Sequence, residues 1–426
     1  MRRHTIPAVV VAVLLVTAFW GIPYAAPLEF HGGVYTSYEY TDNYNLTAHD
    51  KESESIYEVG PSGQIIYQEG PARFDVSGHV TRNFHKRFSD SNFYGVFLDS
   101  RFSTSTALNR DSLSLGYSFT QTDRRDTLTD VVGKSKIHLG SVNYTRDLTR
   151  SSRLGLGYTY GLEVNEAPYN DVESHGATGT LFHQFSQRNS GTLMIGYPTH
   201  NYTENDDEAT EIDDIDDTND TEVLRSALTF QSLVTQQTTL GTDLEYQHQN
   251  NETTPDGDIY SAFLTWGYSL TQQTSILLSG GYSWVDMEGI DREGSYVTRA
   301  ELTTRTLVDV ITIRIAREYT AEFTADRFGT YDTRTVFASW ERTLLRDLVL
   351  LSTISYEDRK PVSAVELTYP DQEDQEEKEY SGMISLNWTP LRYLSITPSY
   401  EHRQRDFETA DTQRENRYRI IAEVRY

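Results

Sequence analysis

Seven arginines and four glutamates of the C-terminal third sit where alternating strands would turn them to one face. Counting alternation outward from Leu302, Ile313, Ile396 and Ile420 puts Arg299, Arg305, Arg314, Arg403, Arg405, Arg417 and Arg419 on the polar side. Glu301, Glu318, Glu401 and Glu423 share that side. Two chemistries fit such a wall. A ladder of guanidinium groups would draw anionic solutes or acidic polysaccharide by electrostatic focusing. A cross-strand network of ion pairs would instead stiffen the wall. The interleaved acids favour the network. Arg299, Glu301, Arg305, Arg314, Glu318, Arg403, Arg405, Arg417 and Arg419 are the candidate lining residues.

Other chemistry is sparse. The run Glu204–Glu222 holds eleven acids and no base, and Asp371–Glu379 holds six acids and one lysine. Oxygen ligands in such density can hold divalent cations, but the fixed spacing of a calcium loop is missing, so a solvated loop is the expectation. Histidines such as His79, His85, His138 and His183 lie inside alternating runs with no partner motif. No nucleophile-base-orienter set, phosphate-cradling loop or metal-ligand cluster stands out. The expectation is no enzyme, no cofactor and no metal. The net charge of −26 disfavours nucleic-acid binding, which needs a basic face. No cysteine is present, so thiolate chemistry and disulfides are excluded.

The elements that must carry these residues read as strands. Ser112-Leu113-Ser114-Leu115-Gly116-Tyr117-Ser118-Phe119 alternates small-polar with large-apolar at every step, and so does Tyr260 to Tyr268. No sustained helical period is found. The runs repeat as hairpins: Thr235-Gln236-Gln237-Thr238 leads to Leu240, and Thr271-Gln272-Gln273-Thr274 leads to Ile276, 36 residues later. Two strands of roughly 12 to 14 residues per repeat exclude a propeller blade, which packs four short ones. Connections of three to five residues alternate with long polar ones at Thr41–Ser53, Asp123–Gly133, Glu204–Thr221 and Lys360–Glu376.

Ahead of the strands, Met1-Arg2-Arg3, the apolar run Ile6–Trp20 and Ala25-Ala26 follow the plan of a secretory signal peptide. The expected division is a signal peptide over 1–26 and one barrel domain over 27–426. Mean hydropathy is −0.56, which excludes a bundle of membrane helices but not a barrel whose strands show apolar residues outward and polar ones inward. The 29 tyrosines suit aromatic belts at two membrane interfaces. In hydrocarbon a sheet must close on itself, because each unpaired amide costs several kcal/mol. The fold class is therefore all-β: a transmembrane antiparallel up-and-down β-barrel of about 20 strands (18–20) without a plug domain. The first strand is expected at Glu29–Tyr40 and the last at Asn416–Tyr426. A soluble sandwich or solenoid is the alternative. It leaves the short-long alternation of connections without a reason.

At the chain end, Tyr418, Ile420, Ala422, Val424 and Tyr426 share a face. A last strand ending in an aromatic residue resembles the signal read by the outer-membrane insertion machinery.

The first hairpin carries a more specific cue. Tyr38-Glu39-Tyr40-Thr41-Asp42-Asn43 ends one strand and Ser55-Ile56-Tyr57-Glu58-Val59-Gly60-Pro61-Ser62-Gly63 opens the next. This resembles a β-barrel porin family whose members accompany exopolysaccharide synthesis and exosortase (PEP-CTERM) systems. Here Pro61-Ser62-Gly63 replaces that family's adjacent Pro-Gly. The resemblance implies a bacterial outer-membrane location and a channel serving polysaccharide export. The implied partners are outer-membrane lipid, the insertion machinery through the strand ending at Tyr426, polysaccharide and periplasmic export proteins. A general diffusion porin and a structural or adhesive barrel with a blocked lumen remain alternatives.

Overall fold

The computed structural model describes residues 28–426 apart from 45–48, 50, 89–91, 107–109, 126–131, 166–170, 204–219, 252–255, 288–291, 325–326, 362–375 and 408–411. The expected signal segment and most of both acidic runs lie outside the described residues.

Twenty strands follow one another in chain order. They begin with β1 (Leu28–Thr41), β2 (Glu54–Glu69), β3 (Ala72–His85), β4 (Tyr94–Ser105) and β5 (Asp111–Arg125). Next come β6 (Val132–Asp147), β7 (Ser152–Asn165), β8 (Asp171–Gln184), β9 (Asn189–Thr203) and β10 (Thr221–Leu233). Then follow β11 (Thr238–Asn251), β12 (Gly257–Ser269), β13 (Thr274–Met287), β14 (Glu293–Arg305) and β15 (Asp309–Thr324). The set ends with β16 (Arg327–Leu345), β17 (Leu348–Pro361), β18 (Glu377–Leu391), β19 (Leu394–Phe407) and β20 (Gln413–Arg425). Each strand pairs antiparallel with the next, and β1 pairs with β20 to close a 20-stranded barrel. Among the described residues there is no helix and no inserted domain.

Strands run from 12 to 19 residues, longer than the expected span, and the short connections hold two to five residues. On the side of the long connections β15 and β16 are only two residues apart, because their pairing continues up to Thr324↔Arg327.

Alternation sorts the side chains. On β12, Leu264 is 70% exposed while its neighbour Phe263 is 3% exposed. Leu264, Ile354, Leu244 and Leu156 belong to the outward apolar set, the surface a bilayer would cover. Outward tyrosines meet directly across strands at the long-connection end. Tyr38 faces Tyr57, Tyr246 faces Tyr260, Tyr356 faces Tyr380, and Tyr400 faces Tyr418, all with ring centroids 4.8–5.0 Å apart. Trp266, Trp340 and Trp388 lie near the opposite end of their strands. These are the two aromatic belts the composition implies.

The Tyr40-Thr41-Asp42-Asn43 motif lies at the closing seam. Asp42 Oδ1 accepts the Asn416 backbone N–H at 2.7 Å and Oδ2 accepts Asn416 Nδ2 at 2.6 Å. Thr41 Oγ1 donates to Glu415 Oε1 at 2.8 Å, and Asn43 Nδ2 donates to the Arg414 carbonyl at 2.8 Å. The Tyr40 ring meets Tyr418 at 6.3 Å. All four motif residues thus hold the last strand against the first. Beside them the buried Glu54 carboxylate accepts backbone N–H groups of Ser55, Lys86, Arg87 and Phe88, fastening the segment after β3 to the start of β2.

Two measurements test this layer. Leu264→Arg or Leu115→Arg should lower stability in bilayers by about 2–4 kcal/mol, while Ser114→Arg, on the inner face, should change it far less. Equal losses on both faces would contradict the assignment. Asp42→Ala should cost about 1–3 kcal/mol through the orphaned Asn416 amide. It should also speed hydrogen exchange at the half of β20 nearest Asp42, with β9 and β10 unaffected.

Candidate functional site

The inner face is assembled from side chains far apart in sequence. Arg299 on β14 pairs with Glu245 on β11, Nη1 to Oε1 at 2.9 Å and Nη2 to Oε2 at 3.1 Å. Two strands lie between them, each step about 4.8 Å, so only the concave side of a curved wall brings the two groups together. Of the intervening inner positions, Ser261, Ser279 and Gly281 are small and Phe263 is the large one. The guanidinium lies 4.2 Å over the Phe263 ring on the way. Gly281 also permits a close approach of strands, since a Cβ there would lie 1.9 Å from the Ala262 carbonyl oxygen. Gly60 is the counterpart on β2, where a Cβ would lie 1.8 Å from the Val80 oxygen. The Tyr35 ring sits opposite Gly60 and stacks on His79 at 4.2 Å.

Eight of the nine candidate residues enter ion pairs. Arg299 Nε reaches Glu318 at 2.8 Å, and Arg314 Nε reaches Glu301 at 2.7 Å. Arg403 and Arg405 share Glu379 at 2.9 and 3.1 Å, and Arg405 also approaches Glu377 at 3.6 Å. Arg417 contacts Glu415 at 3.1 Å and both Glu39 and Glu401 at 3.5 Å. Arg419 stands 3.9 Å from Glu39 and 3.8 Å from Glu58 across the seam. Glu423 pairs with Arg425 at 2.7 Å. Arg305, at the short-turn end of β14, has no side-chain partner among the described residues. The geometry is that of the ion-pair network. Its carboxylates Glu39, Glu58, Glu245, Glu377, Glu379 and Glu415 were not among the candidates. Glu39 and Glu58 come into reach only when β1 closes on β20, and Glu245 only through wall curvature.

The opposite part of the wall differs. Across β5 to β9 the positions paired on the inner face are mostly Ser, Thr and Gly, as in Ser118, Gly116, Thr159, Gly157, Thr178 and Gly176. The lumen therefore has one charged side, from β14 through β20 to β4, where Arg73–Asp75 and Arg101–Asp99 pair, and one mainly neutral side.

One strand leaves the wall. The β14–β15 ladder ends at Thr298↔Arg317, while β14 continues along β13 to Glu293 and β15 continues along β16. Beyond that point Tyr319 packs on Ile259, Val285 and Met287, inner-face residues of β12 and β13. Alternation from Ile313 would have turned Tyr319 outward. Leaning across the inside of β14 brings it over an apolar patch that would otherwise face water. Val285 and Val297 are each only 2% exposed in consequence. Arg299, holding Glu318 beside Tyr319, ties the leaning segment to β11.

Outside the span, Glu376 lies before β18. Hydrogen bonds from Lys360 at 2.6 Å and from Lys378 hold its carboxyl down to about 2, so it stays charged at any physiological pH. Among the described residues no group of metal-ligating side chains is found.

No protein-family model matches the sequence, and no curated protein matches it either. Solved structures do match in shape. The apo FrpB iron transporter of Neisseria meningitidis aligns with a TM-score of 0.59 at 10% identity, over 93% of this chain and 81% of that one. The siderophore receptor PirA of Acinetobacter baumannii gives 0.54 at 8% identity over 93% and 80%, and PirA of Pseudomonas aeruginosa gives 0.52 at 8% over the same shares. At such identities the likeness is one of fold: a large closed barrel.

The network makes a graded prediction. Arg405 and its partners Glu377 and Glu379 are largely withdrawn from solvent, with side-chain exposures of 12%, 10% and 18%. Arg405→Gln removes one of the guanidinium groups from two part-buried carboxylates, which keep Arg359 and Arg403, and should cost about 1–3 kcal/mol in thermal or denaturant unfolding. Arg305→Gln, which breaks no pair, should stay within about 0.5 kcal/mol. Similar losses for both would contradict the pairing.

Proposed function

We propose that this chain is a conduit across the bacterial outer membrane that serves export of an extracellular polysaccharide. The observation that carries the conduit is the barrel itself. Twenty strands close without an inserted domain among the described residues, apolar side chains face out, and a polar wall faces in. A barrel of that strand number with a wet inner face holds water unless loops fill it. The export reading is supported by the first-hairpin resemblance, whose Tyr40-Thr41-Asp42-Asn43 residues form the seam contacts. On this reading residues 1–26 direct secretion through the inner membrane, and the strand ending at Tyr426 is read by the insertion machinery. The long connections face the exterior. The partners are outer-membrane lipid, the exported polymer and periplasmic export proteins, and no catalytic step is involved.

A general diffusion porin is the second reading. It is favoured by the self-neutralised charged wall, which leaves few fixed charges to select a substrate.

Planar-bilayer recording tests the conduit. Discrete, water-filled conductance is expected, with potassium favoured over chloride because the long connections after β9 and β17 carry the acidic runs. That preference should fall as salt rises and screening shortens. A barrel that inserts yet never conducts would refute the conduit. Export is tested in the cell: deleting the gene should strand polysaccharide in the periplasm. Unchanged export with altered uptake of small solutes would favour the second reading.

A further inference from the structure

One inner-face arginine differs from those of the network. Arg225 on β10 has Gly196 of β9 on one side and Gln247 of β11 on the other. Its inner-face neighbours along β10 are Val223 and Ala227. On β9 the flanking inner positions are Met194 and Pro198. Among the described residues Arg225 has neither an ion-pair nor a side-chain hydrogen-bond partner. One carboxylate stands within diagonal cross-strand reach: Glu245, which pairs in register with Ala227. Both of its oxygens are taken by Arg299 at 2.9 and 3.1 Å. Arg299 holds Glu318 as well and rests on Phe263, so this clasp is fixed from three sides. Arg225 therefore keeps an uncompensated positive charge beside the mainly neutral face that ends at β9.

We infer that Arg225 is a binding position for anionic oxygen groups, carboxylate or sulfate, carried by a solute inside the lumen. A guanidinium presents a fork of donors matched to such groups, and in a chain with a net charge of −26 an unmatched one is otherwise left to water. Its neighbours Gly196, Val223 and Ala227 offer no competing charge and little bulk. Arg299 is a positioning residue in this account. It acts by keeping Glu245 away from Arg225. The inference rests on the conduit reading and names the solute chemistry that the same lumen would contact.

The test is current block in planar bilayers by a probe oligogalacturonate, with neutral maltooligosaccharide of equal length as reference. Wild-type protein should be blocked by the acidic oligomer at lower concentration than by the neutral one. Arg225→Gln should weaken acidic block by roughly tenfold or more, the size of one charge-assisted hydrogen bond, and leave neutral block unchanged. Arg225→Lys should retain part of it. Arg299→Gln should weaken acidic block too, because Glu245 is then free to swing to Arg225. Arg299→Gln combined with Glu245→Gln should restore it. Arg305→Gln, at the far end of the lumen, should do nothing. Heat-modifiable migration confirms that each variant is a folded barrel. If the channel conducts and acidic block is the same in Arg225→Gln as in wild type, this inference fails alone. If no folded variant conducts, the conduit reading fails and takes the inference with it.

Discussion

Hydrocarbon offers no hydrogen-bond partner to a backbone amide, and every strand of this chain answers to that constraint. A sheet with two free edges cannot remain there, so β1 must find β20. Nine residue pairs make that join, from Gly33↔Arg425 to Thr41↔Arg417. The seam brings together the ends of the described barrel, and it is reinforced beyond the ladder. Asp42, Thr41 and Asn43 cap one end of β20, and Arg417 and Arg419 reach across to Glu39 and Glu58 on the inside. Closure thus decides which charges meet, and through them how the lumen is lined.

Closure also divides labour within the wall. Most guanidinium groups on the charged side are spent on neighbouring carboxylates, which lowers the desolvation problem of placing them near a low-dielectric wall. The neutral side needs no such pairing because it carries hydroxyls and glycines. Where β15 leaves its ladder, an apolar patch on the inner face gains a cover in Tyr319.

The fold was largely legible because alternation has a period of two residues and repeats along the whole chain. Leu264 against Thr265 and Leu115 against Ser114 are assignable from sequence alone, and strand number follows from counting such runs. Strand ends were less legible. β15 and β16 continue pairing through residues with no alternation signal. Parity groups Arg299, Arg314, Arg403, Arg405, Arg417 and Arg419 on one side of their strands, and all six enter ion pairs. Partners did not follow from parity. Glu245 lies three strands from Arg299, and nothing local in the sequence encodes wall curvature. The packing of Tyr319 on Ile259, Val285 and Met287 does not follow from parity either, because β15 parts from β14 beyond Arg317. The lack of a partner at Arg225 follows only from the placement of the carboxylates, which the sequence does not encode locally.

The chain has no native cysteine, so single cysteines report cleanly on the face they occupy. The most direct measurement compares Ser114→Cys with Leu115→Cys in reconstituted vesicles, using a charged, membrane-impermeant thiol reagent. The account predicts rapid labelling at position 114, and protection at position 115 that is lost only when the bilayer is dissolved and the barrel unfolded. Equal labelling at both positions, or protection at 114 with labelling at 115, would contradict a lipid-facing wall around a wet interior.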